Sequence, residues 1–335
     1  MTQLPRTITV KYEAPPMLSL TKSKKTDLAY LTALLAAIEP KIYRAFMQSL
    51  RSLRSDEVVS KIVAFLNQGQ FNSAFDLIER TINNFASDTV FLYTIAGNAT
   101  AKELTGLLNV TVNFNMTNDR AVRMMQNAHL RLVRDMSNDQ RQSVRAILTS
   151  GITRGINPKQ QAKELTSLIG LSAKQIESVD NYRRLLNQNS SEIFNRTLRD
   201  RRFDPTVENA RNTGIALTTE QIDRMVDRYA ERQLDYRARI IARTEALRVV
   251  HQGNEEMFSQ AIEGGTLEAA QVKQEWVTAT DERVRGSHAS MHGQTRPFGQ
   301  PFISGDGNSL RYPGDIAARA SEVINCRCVV VTTLK

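Results

Sequence analysis

Beyond Gly264-Gly265 the periodicity of this chain changes, and that change constrains its fold more than any other feature. Before it, apolar residues recur at the three- and four-residue spacing of amphipathic helices. Leu28, Leu31, Leu35, Ile38 and Ile42 mark one such helix, and Pro40 inside the pattern is expected to kink or break it. Residues 58–66, 75–85 and a long run over 223–257 carry the same period. After the change, residues 275–280 and 329–333 read as strands, separated by Gly- and Pro-rich loops. The expected fold class is mainly α with a C-terminal α+β module: a helical body followed by a small, loop-rich mixed domain.

Within the body one segment departs from the helical period. Val110, Val112, Phe114 and Met116 alternate with Thr111, Asn113, Asn115 and Thr117, which predicts a short strand over 110–117. Asn118 or Asp119 then caps a helix through Val122, Met125, Leu130 and Val133, and Ser137 starts another that ends near Gly151. Asn157-Pro158 signals a further helix start. Ser172 with Gln175, and Thr218 with Gln221, have capping-box spacing. The helices either side of Gly170-Leu171 read as a hairpin rather than a DNA-reading helix-turn-helix. The expected organisation is an extended arm over 1–23, where Pro5, Pro15 and Pro16 oppose helix, a body over 24–235 and a module over 236–335.

At 335 residues the chain is too long for one ordinary core. It has no apolar run long enough to span a bilayer, and its first residues do not read as a signal peptide, so no membrane role and assembly in a cytoplasm are expected. The formal charge of +9 is uneven: residues 236–335 carry 12 Lys/Arg and 11 Asp/Glu, leaving +8 to the remainder. A polyanion would meet that first part. Arg183, Arg184, Arg196, Arg199, Arg201 and Arg202 form its densest basic stretch, either a solvated helix face or a set of phosphate contacts.

The only two cysteines, Cys326 and Cys328, and two of the four histidines, His288 and His292, fall in the last fifth of the chain. A disulfide between cysteines so close is not expected. Two thiolates and two imidazoles are the ligand set of a closed tetrahedral zinc site with a structural role. The Cys-x-Cys spacing is tighter than the usual knuckle, so a turn or distortion is needed to aim both thiols at one ion. A shared zinc also requires a His288 nitrogen within about 6 Å of the sulfurs. The alternative is two small buried cysteines and two hydrogen-bonded histidines. His129 and His251 read as ordinary helix residues. No catalytic residue and no organic cofactor site is expected. The chain lacks a phosphate-binding loop, a dinucleotide fingerprint and a nucleophile elbow, and His-Ala-Ser-Met-His lacks the general-base Glu of a zinc peptidase. A thiol nucleophile at Cys326 with His288 as base, and a carboxylate nuclease on Asp281, Glu282 and Asp315, remain as alternatives.

Four pieces in order carry a family resemblance. They are Ile-Ala-Arg243-Thr244-Glu245 followed by Asn254; Trp276-Val-Thr-Ala-Thr-Asp281-Glu-Arg283-Val-Arg285 followed by His288 and Gly293; Tyr312-Pro313-Gly314-Asp315; and Glu322-Val-Ile-Asn325-Cys326-Arg327-Cys328. The set resembles the head-morphogenesis domain typified by the F protein of bacteriophage Mu. The resemblance implies a minor head protein, low in copy inside the capsid, associated with the portal vertex and needed for productive heads. Capsid or scaffolding protein are further candidate partners, and the +8 of the first part of the chain is the basis for expecting non-specific contact with double-stranded DNA. In that pattern His288 is the expected histidine and His292 lies where variation is expected. The motif residues read as structural: Arg243 and Glu245 pairing with Arg285 or Asp281, Trp276 anchoring the small core, Asn325 and Arg327 holding the cysteine turn. The competing functions are a metal-dependent nuclease or other DNA-processing enzyme, and a non-specific DNA-binding module.

Overall fold

The computed structural model describes residues 24–155 and 158–334. The expected N-terminal arm, residues 1–23, and the cap residue Asn157 lie outside the described residues. The first helix, α1 (Lys24–Leu53), buries a single stripe formed by Leu31, Leu34, Ile38, Ile42, Phe46, Leu50 and Leu53. It runs through Pro40 without a break, contrary to the stronger form of the sequence expectation. Pro40 and Ala36 are both exposed, so the carbonyl that loses its helical donor faces water, while the stripe holds both halves to the core.

Two helices, α2 (Asp56–Asn67) and α3 (Phe71–Leu108), follow, and then the segment expected as a strand. That expectation needs correcting, because residues 110–117 join no sheet. The alternation is real, with Val112 and Phe114 buried and their neighbours exposed. Its cause is burial against helices: the Phe114 ring meets Tyr93 edge-on at 5.7 Å. The backbone groups are satisfied by side chains, Val112 N donating to Thr105 Oγ1 and Asn115 N to Gln260 Oε1. Asn118 then caps α4 (Asp119–Thr153) by accepting from the Arg120 backbone. Ser137 does not start a new helix; α4 is continuous through it, and Ser137 is buried on its inner face.

The helices α5 (Pro158–Leu168) and α6 (Ala173–Asn187) follow one another across Gly170-Leu171 but pack on α4 and α8 rather than on each other as the expected hairpin, and α7 (Asp204–Thr213) leads to α8 (Thr219–Glu263). Both capping boxes are formed, Ser172 with Gln175 and Thr218 with Gln221. At 45 residues α8 is the spine of the molecule. It packs on α1 and α3 over its second half, where Ala242, Ala246, Val250 and Gly253 let it approach closely. A Cβ on Gly253 would lie 2.8 Å from Ala96 Cβ and from Gly97 N of α3, so the crossing needs glycine there.

The C-terminal region is built on a three-stranded antiparallel sheet in which β1 (Val272–Val277) lies between β2 (Thr295–Pro297) and β5 (Val329–Leu334). Trp276 pairs with Val330 in its register. Short elements connect these strands: α9 (Gly286–Ala289), the hairpin of β3 (Phe302–Ile303) with β4 (Ser309–Leu310), and α10 (Ala320–Val323). They enclose a second core of Trp276, Met291, Phe302, Leu310, Tyr312 and Val323, into which α8 inserts Leu247. Both cysteines belong to this core. The protein is therefore mainly α with a C-terminal α+β module.

Candidate metal centre

Three elements bring His288, Cys326 and Cys328 together. The single turn of α9 carries His288 beneath Trp276, whose ring meets the imidazole edge-on at 5.5 Å. The stretch between α10 and β5 carries the cysteines. It is neither helix nor strand, and it begins at Asn325 in the left-handed conformation, φ 56°. The expected bend is present: Asn325 turns the chain and the Cys328 N–H donates to Cys326 Sγ at 3.4 Å, so both cysteines sit in the module core while Arg327 reaches Asp281. Arg327 there clamps Asp281 through both guanidinium nitrogens and holds its carboxyl well below the usual range.

The ligand atoms of His288, Cys326 and Cys328 all lie within 4.8 Å of one another, and among the described residues no other group of three His, Cys, Asp or Glu side chains does so. They are 1 %, 2 % and 3 % exposed. His288 Nδ1 is 3.5 Å from Cys326 Sγ and 3.6 Å from Cys328 Sγ. A tetrahedral zinc with ordinary Zn–S and Zn–N bonds would separate such atoms by about 3.6 Å. A single Nδ1 can hydrogen-bond one sulfur at a time, whereas near-equal distances to two are what an ion between them requires. The donor set thus fits a soft, thiolate-preferring metal.

The other side of the imidazole is fixed by Glu322 of α10. His288 Nε2 is 2.7 Å from Glu322 Oε2, and the carboxylate also accepts from Asn308 Nδ2 at 2.7 Å and Ser304 Oγ at 3.3 Å. Burial works to raise the Glu322 pKa, but the Asn308, His288 and Ser304 hydrogen bonds outweigh it and hold it below its ordinary value. Glu322 is therefore the acceptor, and Nε2 carries a proton. Burial opposes charge on His288, yet Cys326 and Glu322 lift its pKa above the ordinary value. The hydrogen bond from Cys328, reinforced by His288 against the cost of burial, lowers the Cys326 pKa, and the same thiolate pushes Cys328 up.

His292 does not join the cluster, which corrects the four-ligand set. Its side chain is exposed, and its Nδ1 accepts from the Thr278 backbone N–H at 3.1 Å, with the Thr278 hydroxyl at 3.0 Å. Asp281, Glu282 and Asp315 are not gathered either: Asp281 is held by Arg327, and Asp315 accepts from the backbone N–H groups of Arg311 and Ala317. Glu322 was legible only as a motif letter; four residues before Cys326, its burial and bond to His288 give it a role that spacing alone did not. His251 lies within α8, as expected, and is buried there, which lowers its pKa to about 3.

The remaining motif residues fasten the module to α8. Thr244 Oγ1 accepts from Asn325 N at 2.9 Å, and Arg243 donates to Asn325 Oδ1 at 3.2 Å. Arg285 donates to the Ile324 carbonyl. Glu245 pairs with buried Arg248 at 2.6 Å, so the expected pairing of Arg243 and Glu245 with Arg285 or Asp281 is replaced by contacts nearer in space. Gly314, at φ 86°, lies where a Cβ would come 2.9 Å from Arg248 N, and Pro313-Gly314-Asp315 therefore forms a tight turn against α8. Arg283 stays exposed beside Asp281, and Gly293, at φ 79°, donates to the Trp276 carbonyl at 2.8 Å. Residues 142–331, more than half of the chain, match the family described as phage Mu protein F like protein.

The chain belongs to the phage Mu protein F like family. The matched span runs from the later part of α4 through α8 to β5, and so includes His288, Cys326 and Cys328. Membership makes this a phage head morphogenesis protein. No curated protein and no solved structure matches the chain. Of the basic stretch in this family member, Arg183 pairs with Asp223, Arg199 with Asp204 and Arg202 with Asp200. Arg184 is held by Asn181 and Gln188, Arg196 is bonded through its backbone to Ile193 and Arg199, and Arg201 is exposed. Much of the charge there is neutralised within the chain.

Proposed function

We propose that this chain is a low-copy internal head protein that acts at the portal vertex, with a C-terminal module locked by a structural zinc. The observation that carries the zinc is the pair of near-equal distances from His288 Nδ1 to the two sulfurs. A bound zinc would be held by His288, Cys326 and Cys328, with water as the fourth ligand. It would supply cross-linking between α9 and the strand-leading turn, in a module whose own core is small. Three protein ligands are also the pattern of catalytic zinc. The thiols and imidazole here are shut beneath Trp276, which favours the structural role over a nuclease or thiol enzyme. The head role rests on family membership.

The helical body is the part proposed to meet the portal and, non-specifically, packaged DNA; capsid or scaffolding protein are further candidate partners. Since internal carboxylates neutralise much of the basic stretch, DNA binding should be weak and fall steeply with salt. No described helix is long and apolar enough to cross a membrane. Quantitative mass spectrometry of purified proheads and virions tests the assembly role. A few to a few dozen copies per particle, in the order-of-magnitude range of a vertex component, are expected. Absence from both particles would overturn it.

A further inference from the structure

A pocket lies between the first turns of α1, the last turns of α3, the second half of α8 and the end of β5. Its wall is acidic and apolar together. Asp27 and Glu103 face it, with Leu104, Leu107, Phe258 and Leu334 beside them. Neither carboxylate has a hydrogen-bond or ion-pair partner among the described residues. Asn254, 7 % exposed, lines the same pocket, and its Oδ1 is buried with no hydrogen-bond partner. The last turn of α3 adds the partial negative charge of a helix C-terminus. Among the described residues the wall carries no Lys, Arg or His.

Asp27 and Glu103 are half-buried, and among the described residues of the wall no cation is set against them, so only a proton or an entering cation can offset their charge. We propose that this pocket binds an aliphatic ammonium group, its head between Asp27, Glu103 and the Asn254 carbonyl and its stem along Leu104, Leu107 and Phe258. The apolar lining distinguishes this from a bare divalent ion, which takes oxygen ligands on most sides. A free alkyl amine and a lysine side chain present the same chemistry.

Protonation supports the assignment. Burial raises Asp27 to about 6, and burial followed by the nearby Asp27 charge raises Glu103 to about 8. Tyr30 is the other titratable group in the wall, while α8 and β5 contribute Asn254, Phe258, Thr332 and Leu334, none of which titrates. At pH 7 the empty pocket therefore holds a proton on Glu103, and an entering ammonium displaces it.

The test is calorimetric titration of the full chain at pH 7 in two buffers of different ionisation enthalpy. The probes are n-butylammonium, the lysine side chain as Nα-acetyl-lysine methylamide, and Mg2+. Saturable binding of either amine with release of about one proton is expected. Tighter binding of one amine identifies the source. Glu103→Gln should abolish the proton release and weaken binding about 10- to 100-fold, with Asp27→Asn weakening it similarly. No binding of either amine, tighter binding of Mg2+ than of both, or proton release undiminished in Glu103→Gln would overturn the proposal.

Discussion

His288 Nε2 lies 2.7 Å from Glu322 Oε2, so a buried carboxylate on one side of the ring fixes which nitrogen faces the two thiols on the other. Such a partner raises the basicity of a metal-binding imidazole and holds its orientation. Glu322→Gln keeps the shape and weakens the acceptor. Zinc affinity, read by competition with a chelator, should fall about 10- to 100-fold while the protein stays folded. An unchanged affinity would separate Glu322 from the centre.

His292→Ala should leave zinc content unchanged, because the His292 Nδ1 is turned to Thr278. His288→Ala should lose it. Metal analysis of the two variants purified in parallel distinguishes a three-residue site from the four-residue set that spacing suggested.

Gly314→Ala tests the seam between module and body. The new methyl would meet the Arg248 backbone at 2.9 Å in a left-handed conformation. A loss of at least about 1–3 kcal/mol is expected from the backbone conformation alone, measured by denaturant unfolding.

Glu103 gives the stability of the amine-free protein a distinctive slope. Its folded pKa of about 8 exceeds the ordinary carboxyl value of 4.5, so the folded chain binds more protons than the unfolded chain between those values. Its contribution is fully present below the unfolded pKa and is lost as pH rises through the window to about 8. Glu103→Gln should therefore gain stability relative to the wild type at pH 8 compared with pH 5. Parallel unfolding curves at the two pH values would contradict the raised pKa.

Sequence pattern made the architecture legible where the physics was local. Both capping boxes, the helix over α8 and the two strands that pair as β1 and β5 follow from short-range spacing, although the first strand was expected over 275–280 and runs over 272–277. The failures share a cause. Pro40 was expected to interrupt α1, but the freed carbonyl faces solvent. The alternation at 110–117 reported one buried face without saying that helices, rather than a second strand, would cover it. Of the metal centre, the clustering of His288, Cys326 and Cys328 was legible from their scarcity in the chain. The placement of His292 on Thr278, and of Glu322 behind His288, depends on how α9 and α10 dock, which no spacing encodes.

Zinc stoichiometry and thermal unfolding of the purified full chain, with and without chelator, test the central claim most directly. One zinc per chain is expected, because His288, Cys326 and Cys328 form a single cluster. Chelation should lower the melting temperature of the wild type, while Cys326→Ser should melt low and respond to neither chelator nor added zinc. A wild-type protein that purifies without metal, and melts identically with zinc and with chelator, would contradict the account and leave a buried thiol–imidazole pair in its place.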